Sequence, residues 1–213
     1  MLGGKDFIQF VKELQMALKE PLPGVEVQYE MAPVGRDVDP GPGMPRPKES
    51  AVTALLFPED DGVKLLLMKR VEDDTIHSAQ LSFPGGQKEK NDKDLLDTAL
   101  REMKEEVGIS REDVEVIGRL TPLYISVSNF MVFPFVAYCD HTPDFHLNRA
   151  EVEKVIKADI SRLLIPGSKT YRSVTTKYLH NFEVPCFSVD GEVLWGATAM
   201  MTHELLEVMK KVL

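Results

Sequence analysis

Between Leu95 and Val107 the apolar residues Leu95, Leu96, Ala99, Leu100, Met103 and Val107 recur at helical spacing, and Gly108 follows as a stop. The spacing predicts a helix with one buried stripe. A second face of the same helix is crowded with acids. At about 100° per residue, Glu102 and Glu106 are ~40° apart and Glu105 lies ~60° to the other side of Glu102. Three carboxylates therefore converge within one turn, where they repel unless something positive neutralises them. A solvated acidic face is the common fate of such residues. Here two features argue for a cation site: Arg101 stands four residues before Glu105 and can steer its carboxylate, and Pro84, Gly85 and Gly86 supply a tight turn whose carbonyls can join the site. Hard divalent cations, Mg²⁺ or Mn²⁺, suit an all-oxygen donor set of this kind.

The rest of the chain predicts an α/β fold around that helix. Residues 4–20 read as a helix ended by the Pro and Gly of PLPG, and residues 37–49 as a loop rich in Pro and Gly. Two apolar runs, 51–57 and 63–70, flank the turn 58–62 and predict a hairpin. After the acidic helix, 114–125 and 131–140 are strand-like and separated by Ser126 to Asn129. Residues 150–164 suggest a short helix or turn, 177–189 a strand, and 198–213 a closing amphipathic helix. This order predicts antiparallel or mixed strands. It divides the chain into an N-terminal helix and extension (1–36), a Pro/Gly-rich loop (37–50) and one main domain (51–213).

With 213 residues and 43% apolar content the chain can bury one sizeable core, and it carries no repeat. No apolar run approaches the ~20 residues that span a bilayer, so a cytoplasmic protein with no membrane partner is expected. Cys139 and Cys186 lie in apolar, strand-like surroundings and are expected to be buried reduced thiols. A net charge of −9 argues against a grip on long nucleic acid, which needs a basic surface. A small phosphorylated substrate is compatible with it, because cations bridge an acidic pocket and an anionic diphosphate.

The segment from Gly85 to Ile109 resembles the Nudix box, G-x5-E-x7-R-E-U-x-E-E-x-G-U with U aliphatic. Arg101, Glu102, Met103, Glu105, Glu106, Gly108 and Ile109 fall on its second half without a gap. The first half is one residue longer, and Lys93 stands where the box has its first Glu. Asp92 or Asp94 can replace that carboxylate, and Asp92 is favoured. An insertion with Asp there is similar to the coenzyme A pyrophosphatase branch of the family. In that branch a stretch like LLTxRS, a second Arg and a Gly precede FPGG. Here Leu66, Leu67, Met68, Lys69 and Arg70 are followed by His77, Ser78, Leu81, Ser82, Phe83, Pro84 and Gly85. Thr75 stands at the second Arg, and Ala79 and Gln80 replace the Gly and its neighbour. Residues 22–33 and 184–209 also resemble flanks of this branch.

The resemblance implies a Nudix-type α/β/α sandwich with a mixed sheet and a metal-dependent pyrophosphatase. Glu102, Glu105, Glu106 and the carbonyl of Gly85 or Gly86 would hold the metal, with Arg101 orienting a carboxylate. Glu105 and Arg101 are expected to be catalytic, and Glu151 is the candidate general base, with Glu153 behind it. Arg70, Lys69 and Phe83 are expected against the substrate, and Arg119 is a further cation for its phosphates. Coenzyme A or an acyl derivative is the first substrate. ADP-ribose, NADH, a nucleotide sugar, or a catalytically silent nucleotide-binding domain are the alternatives. A homodimer is compatible with all of these. Trp195, Phe130 and Phe133 are expected to pack in the core, and His77 to be exposed near the FPGG turn.

Overall fold

The computed structural model describes residues 6–60, 62–73, 78–175 and 180–213. Thr75 and His77 lie outside the described residues, as does the start of the strand expected over 177–189. Helix α1 (Phe7–Ala17) opens with Asp6 accepting the Gln9 N–H at 2.6 Å, an N-cap that satisfies one orphan donor. It buries Phe10, Val11, Leu14 and Ala17. PLPG ends this first helix as expected, but Pro23 also starts a second one, α2 (Gly24–Tyr29).

The chain then enters β1 (Lys48–Glu59), which pairs antiparallel with β2 (Gly62–Arg70) in the expected hairpin. Short strands β3 (Leu81–Ser82) and β4 (Gly85–Gln87) lead into α3 (Leu95–Val107). Next come β5 (Glu115–Arg119), β6 (Leu123–Ile125) and β7 (Phe130–Tyr138). β7 lies parallel to β1 while β5 and β6 run antiparallel to β7, so the sheet is mixed. Its eight strands run β3, β2, β1, β7, β5, with β4 on β1, β6 on β7, and β8 (Val152–Asp159) on β2. After α4 (Ile160–Leu163), β9 (Lys169–Val174), β10 (Phe182–Val189) and β11 (Glu192–Trp195) form a second small sheet, and α5 (Gly196–Met209) closes the chain.

Side-chain alternation along β2 explains the layering. Leu65 and Leu67 join a core with α1 and α5, while Leu66 and Met68 join another with Leu100, Met103 and Val107 of α3. A sheet apolar on both faces must be covered on both, which gives the α/β/α sandwich.

Two expectations change. The short helix expected in 150–164 is α4, but most of the stretch is strand β8, because the free edge of β2 supplies the ladder that Val152 to Asp159 complete. The closing helix is not amphipathic. α5 is buried from Thr198 to Leu206 without interruption, being covered by the sheet, α1 and α2. Even Glu204, 0% exposed, is inside it. Its carboxylate accepts from Gly24 N (3.0 Å), Gln28 Nε2 (2.8 Å), Thr121 N (3.1 Å) and Thr121 Oγ1 (2.6 Å). Four donors satisfy the buried charge and tie α2, the β5–β6 link and α5 together. No helix among the described residues is long and apolar enough to cross a membrane.

Candidate active site

α3 is fixed at both ends. Asp94 caps its N-terminus by accepting from Asp97 N at 2.8 Å, and Gly108 ends it in the left-handed region at φ 80°. The apolar stripe packs on Leu55, Phe57, Leu66 and Met68. That leaves the acidic face against β4. Gly85 N–H donates to Glu106 Oε2 at 2.8 Å, and a Cβ on Gly86 would lie 2.4 Å from Glu102 Oε1. Both glycines are thus required for backbone and carboxylates to share this space.

Arg101 organises the acids. It donates to Asp92 through Nε (2.8 Å, Oδ1) and Nη2 (3.0 Å, Oδ2), and its Nη1 reaches Glu102 Oε1 (2.9 Å) and Glu105 Oε2 (3.0 Å). Asp92 is 8% exposed and also accepts from Glu89 N and Thr98 Oγ1. The Arg101 guanidinium holds its carboxyl well below the usual carboxylate range. Asp92 therefore anchors the arginine, while Asp94 is occupied in capping.

The three glutamates differ in environment. Glu106 is 1% exposed, and burial pushes its carboxyl up to about 8 despite the Gly85 N–H and the nearby Arg70. Glu102 is raised as well, by burial first, with Arg101 opposing. Glu105 is the open one, its side chain 56% exposed. The negative charge of Glu151 is felt at both Glu102 and Glu106. The chain brings it there because Asn148 N bonds the Glu106 carbonyl at 2.9 Å and Asn148 Nδ2 donates to Glu151 Oε1 at 3.1 Å.

Arg70 Nη1 lies 3.5 Å from Glu106 Oε1 and lines a cavity of about 790 Å³ between the sheet and α5. Phe83 is buried in the core and also lines this cavity. Lys69 is not brought to the site. It does not line the cavity and instead pairs with Glu153 (3.4 Å) and Glu192 (3.3 Å), which holds it away from its expected place beside the substrate and occupies Glu153 too. Arg119 does not line the cavity either, whereas Trp195 and Phe130, expected in the core, do. Phe133 stays half-buried away from it. Both cysteines are buried and free, as expected.

A model of the NUDIX domain matches residues 47–178. The chain belongs to the Nudix family. It is 34% identical to the Nudix hydrolase NudL of Photorhabdus laumondii over 143 residues, 67% of this chain and 75% of that protein. It is 33% identical to Nudix hydrolase 15, mitochondrial, of Arabidopsis thaliana over 182 residues, 82% of this chain and 62% of that one. Among solved structures, a MutT/nudix family protein from Enterococcus faecalis superposes with a TM-score of 0.55 at 16% identity, covering 97% of this chain and 75% of its own. The MutT protein of Methanosarcina mazei gives 0.51 at 16% identity over 79% and 97%. These two share the fold.

The protein is thus a Nudix hydrolase, of an enzyme class that acts on nucleoside diphosphate derivatives and generally uses divalent metal ions. Its donors fit such an ion. They are oxygens only, three of them glutamate side chains on one helical face, and Gly86 leaves open the space beside Glu102 that any Cβ would fill. The sequence alone did not point to Arg36, which lines the cavity from the end of the N-terminal extension, where no local periodicity marks it.

Proposed function

We propose that this Nudix hydrolase is a pyrophosphatase dependent on Mg²⁺ or Mn²⁺, with coenzyme A or acyl-coenzyme A as its first substrate. Water adds to one phosphorus of the diphosphate, the bridging P–O bond breaks, and 3′,5′-ADP and phosphopantetheine leave. The observation that carries the reading is the Arg101 clamp, which sets Glu102 and Glu105 beside Gly86, next to a cavity large enough for a nucleotide.

Glu102, Glu105, Glu106 and the Gly86 carbonyl would hold the cation, which when bound masks phosphate charge and makes water more acidic. The chain's own groups do the rest. Arg101 orients Glu102 and Glu105, and Asp92 holds Arg101 in place. Arg70 neutralises the substrate phosphates in the cavity, while Phe83 forms part of the wall. Glu151, close enough to raise the proton affinity of Glu102 and Glu106, takes the proton from the attacking water.

The test is hydrolysis of coenzyme A, ADP-ribose, NADH and a nucleotide sugar with each cation, products identified by mass, for wild type and Glu105→Gln. Release of 3′,5′-ADP from coenzyme A, lost in the variant, supports the reading. Cleavage of another member alone keeps the chemistry and replaces the substrate.

A further inference from the structure

Although the chain carries a net charge of −9, among the described residues no Asp or Glu lines the cavity, and the charged ones that do are Arg70 and Arg36. Arg70 sits at the carboxylate end. Arg36 sits elsewhere. Its Nη2 donates to the Tyr124 carbonyl at 3.0 Å, on β6. Among the described residues no carboxylate pairs with it; the Tyr29 hydroxyl is its one side-chain partner there, burial works against its charge, and its buried Nε has no hydrogen-bond partner. A half-buried cation without a counter-charge is costly, and an anion brought by a ligand would offset that cost.

The neighbouring turn offers matching donors. Ser126 and Ser128 both line the cavity on the β6–β7 turn that follows Tyr124, and Ser128 Oγ is buried with no partner. A guanidinium beside hydroxyls is a donor set for phosphate. Its position separates it from the bond that breaks. From β6 the sheet runs through β7 and β1 to β4, where Gly85 meets Glu106. Three strand spacings amount to about 14 Å. A single diphosphate does not span that distance.

We propose that Arg36, with Ser126 and Ser128, forms a second anion subsite that recognises a phosphomonoester on the substrate, separate from the diphosphate held at α3. This rests on the reading of the α3 carboxylates as the seat of the scissile diphosphate. It makes Arg36 a specificity residue: substrates with the extra phosphate are bound in preference to the same molecules without it.

Calorimetry on the full chain in EDTA tests this without relying on hydrolysis, using 3′,5′-ADP, 2′,5′-ADP and 5′-AMP as probes. Wild type is expected to bind one of the two bisphosphates at least about tenfold more tightly than 5′-AMP, and the preferred one tells which ribose position carries the phosphate. Arg36→Gln should bring that ratio to within about threefold, Arg36→Lys should retain part of it, and Ser128→Ala should reduce it in a protein that keeps the Arg36 bond to Tyr124. A wild-type ratio near one, no binding of any probe, or a ratio retained in Arg36→Gln and Ser128→Ala overturns the subsite. Hydrolysis of coenzyme A and dephospho-coenzyme A separates the two levels. If neither is cleaved while the binding ratio holds, the coenzyme A reading fails and the subsite stands. Equal KM for both with a binding ratio near one removes the subsite and leaves the pyrophosphatase.

Discussion

The guanidinium of Arg101 grips the carboxylate of Asp92 with two bonds of 2.8 and 3.0 Å, leaving a single nitrogen, Nη1, to hold Glu102 and Glu105. Positioning of the acids therefore depends on a residue outside the helix. Asp92→Asn should lower kcat by about tenfold to a hundredfold with little change in KM, because the carboxylates remain but lose their orientation. Asp94→Ala removes only the cap, costing about 1 kcal/mol and a few °C in Tm with kcat near wild type. Steady-state kinetics and thermal melts of both variants separate the two roles.

Glu106 links stability to pH. Its carboxyl is raised to about 8, above the ordinary 4.5, so between these values the folded protein keeps a proton that the unfolded chain has released. The unfolded state binds fewer protons, and stability falls as pH rises through that window. Metal-free protein should lose a few °C in Tm between about pH 5 and 8 more than Glu106→Gln does. Added Mg²⁺ or Mn²⁺ should stabilise wild type more at pH 8 than at pH 6, since the ion competes with that proton. Melting curves in EDTA and with each ion are the measurement.

The two glycines of the turn should fail differently. A Cβ on Gly85, where φ is 155°, would lie 2.3 Å from the Ala51 carbonyl oxygen, so Gly85→Ala strains the sheet itself and should appear as a large drop in Tm. On Gly86 the obstacle is the Glu102 side chain, which can swing away. Gly86→Ala should melt within a few °C of wild type and lose about a hundredfold or more in kcat. The contrast is read by pairing melts with rates.

Glu151 and Glu153 are two residues apart and face different partners. Glu151→Gln should lower kcat by about 10²- to 10⁴-fold, the range for losing a general base, and remove the acidic limb of the pH–rate profile. Glu153→Gln only releases one of two carboxylates from Lys69 and should stay within about twofold. Full activity in Glu151→Gln would sink the assignment of the base.

What the sequence made legible was whatever rests on local periodicity. The stripe of α3, its glycine stop, the β1–β2 hairpin and the REMKEE acids all follow from residues within a few positions of one another. Strand β8 was hidden because its pairing comes from β2, distant in sequence, and so was the burial of α5, which depends on layers packing around it. The choice between Asp92 and Asp94 needed coordinates for the same reason: both lie one step from the expected position, and only the reach of Arg101 distinguishes them. Lys69 and Arg70 looked equivalent as strand-end cations until their partners told them apart, Glu153 and Glu192 for the one and Glu106 for the other. Arg36 left no trace, because its setting is made by Tyr124 and the β6–β7 turn.

The buried Glu204 has a bearing on how this enzyme can be taken apart. By holding Gly24, Gln28 and Thr121 at once, it fastens the segment that leads to Arg36 onto the final helix. The wall of the cavity that bears Arg36 is therefore borrowed from a part of the chain that precedes the matched region 47–178. On the proposed reading, bond breaking and substrate choice have separate owners, α3 for one and the N-terminal segment for the other. Exchanging that segment between relatives, with its carboxylate anchor kept, would transplant a preference while leaving the reaction alone.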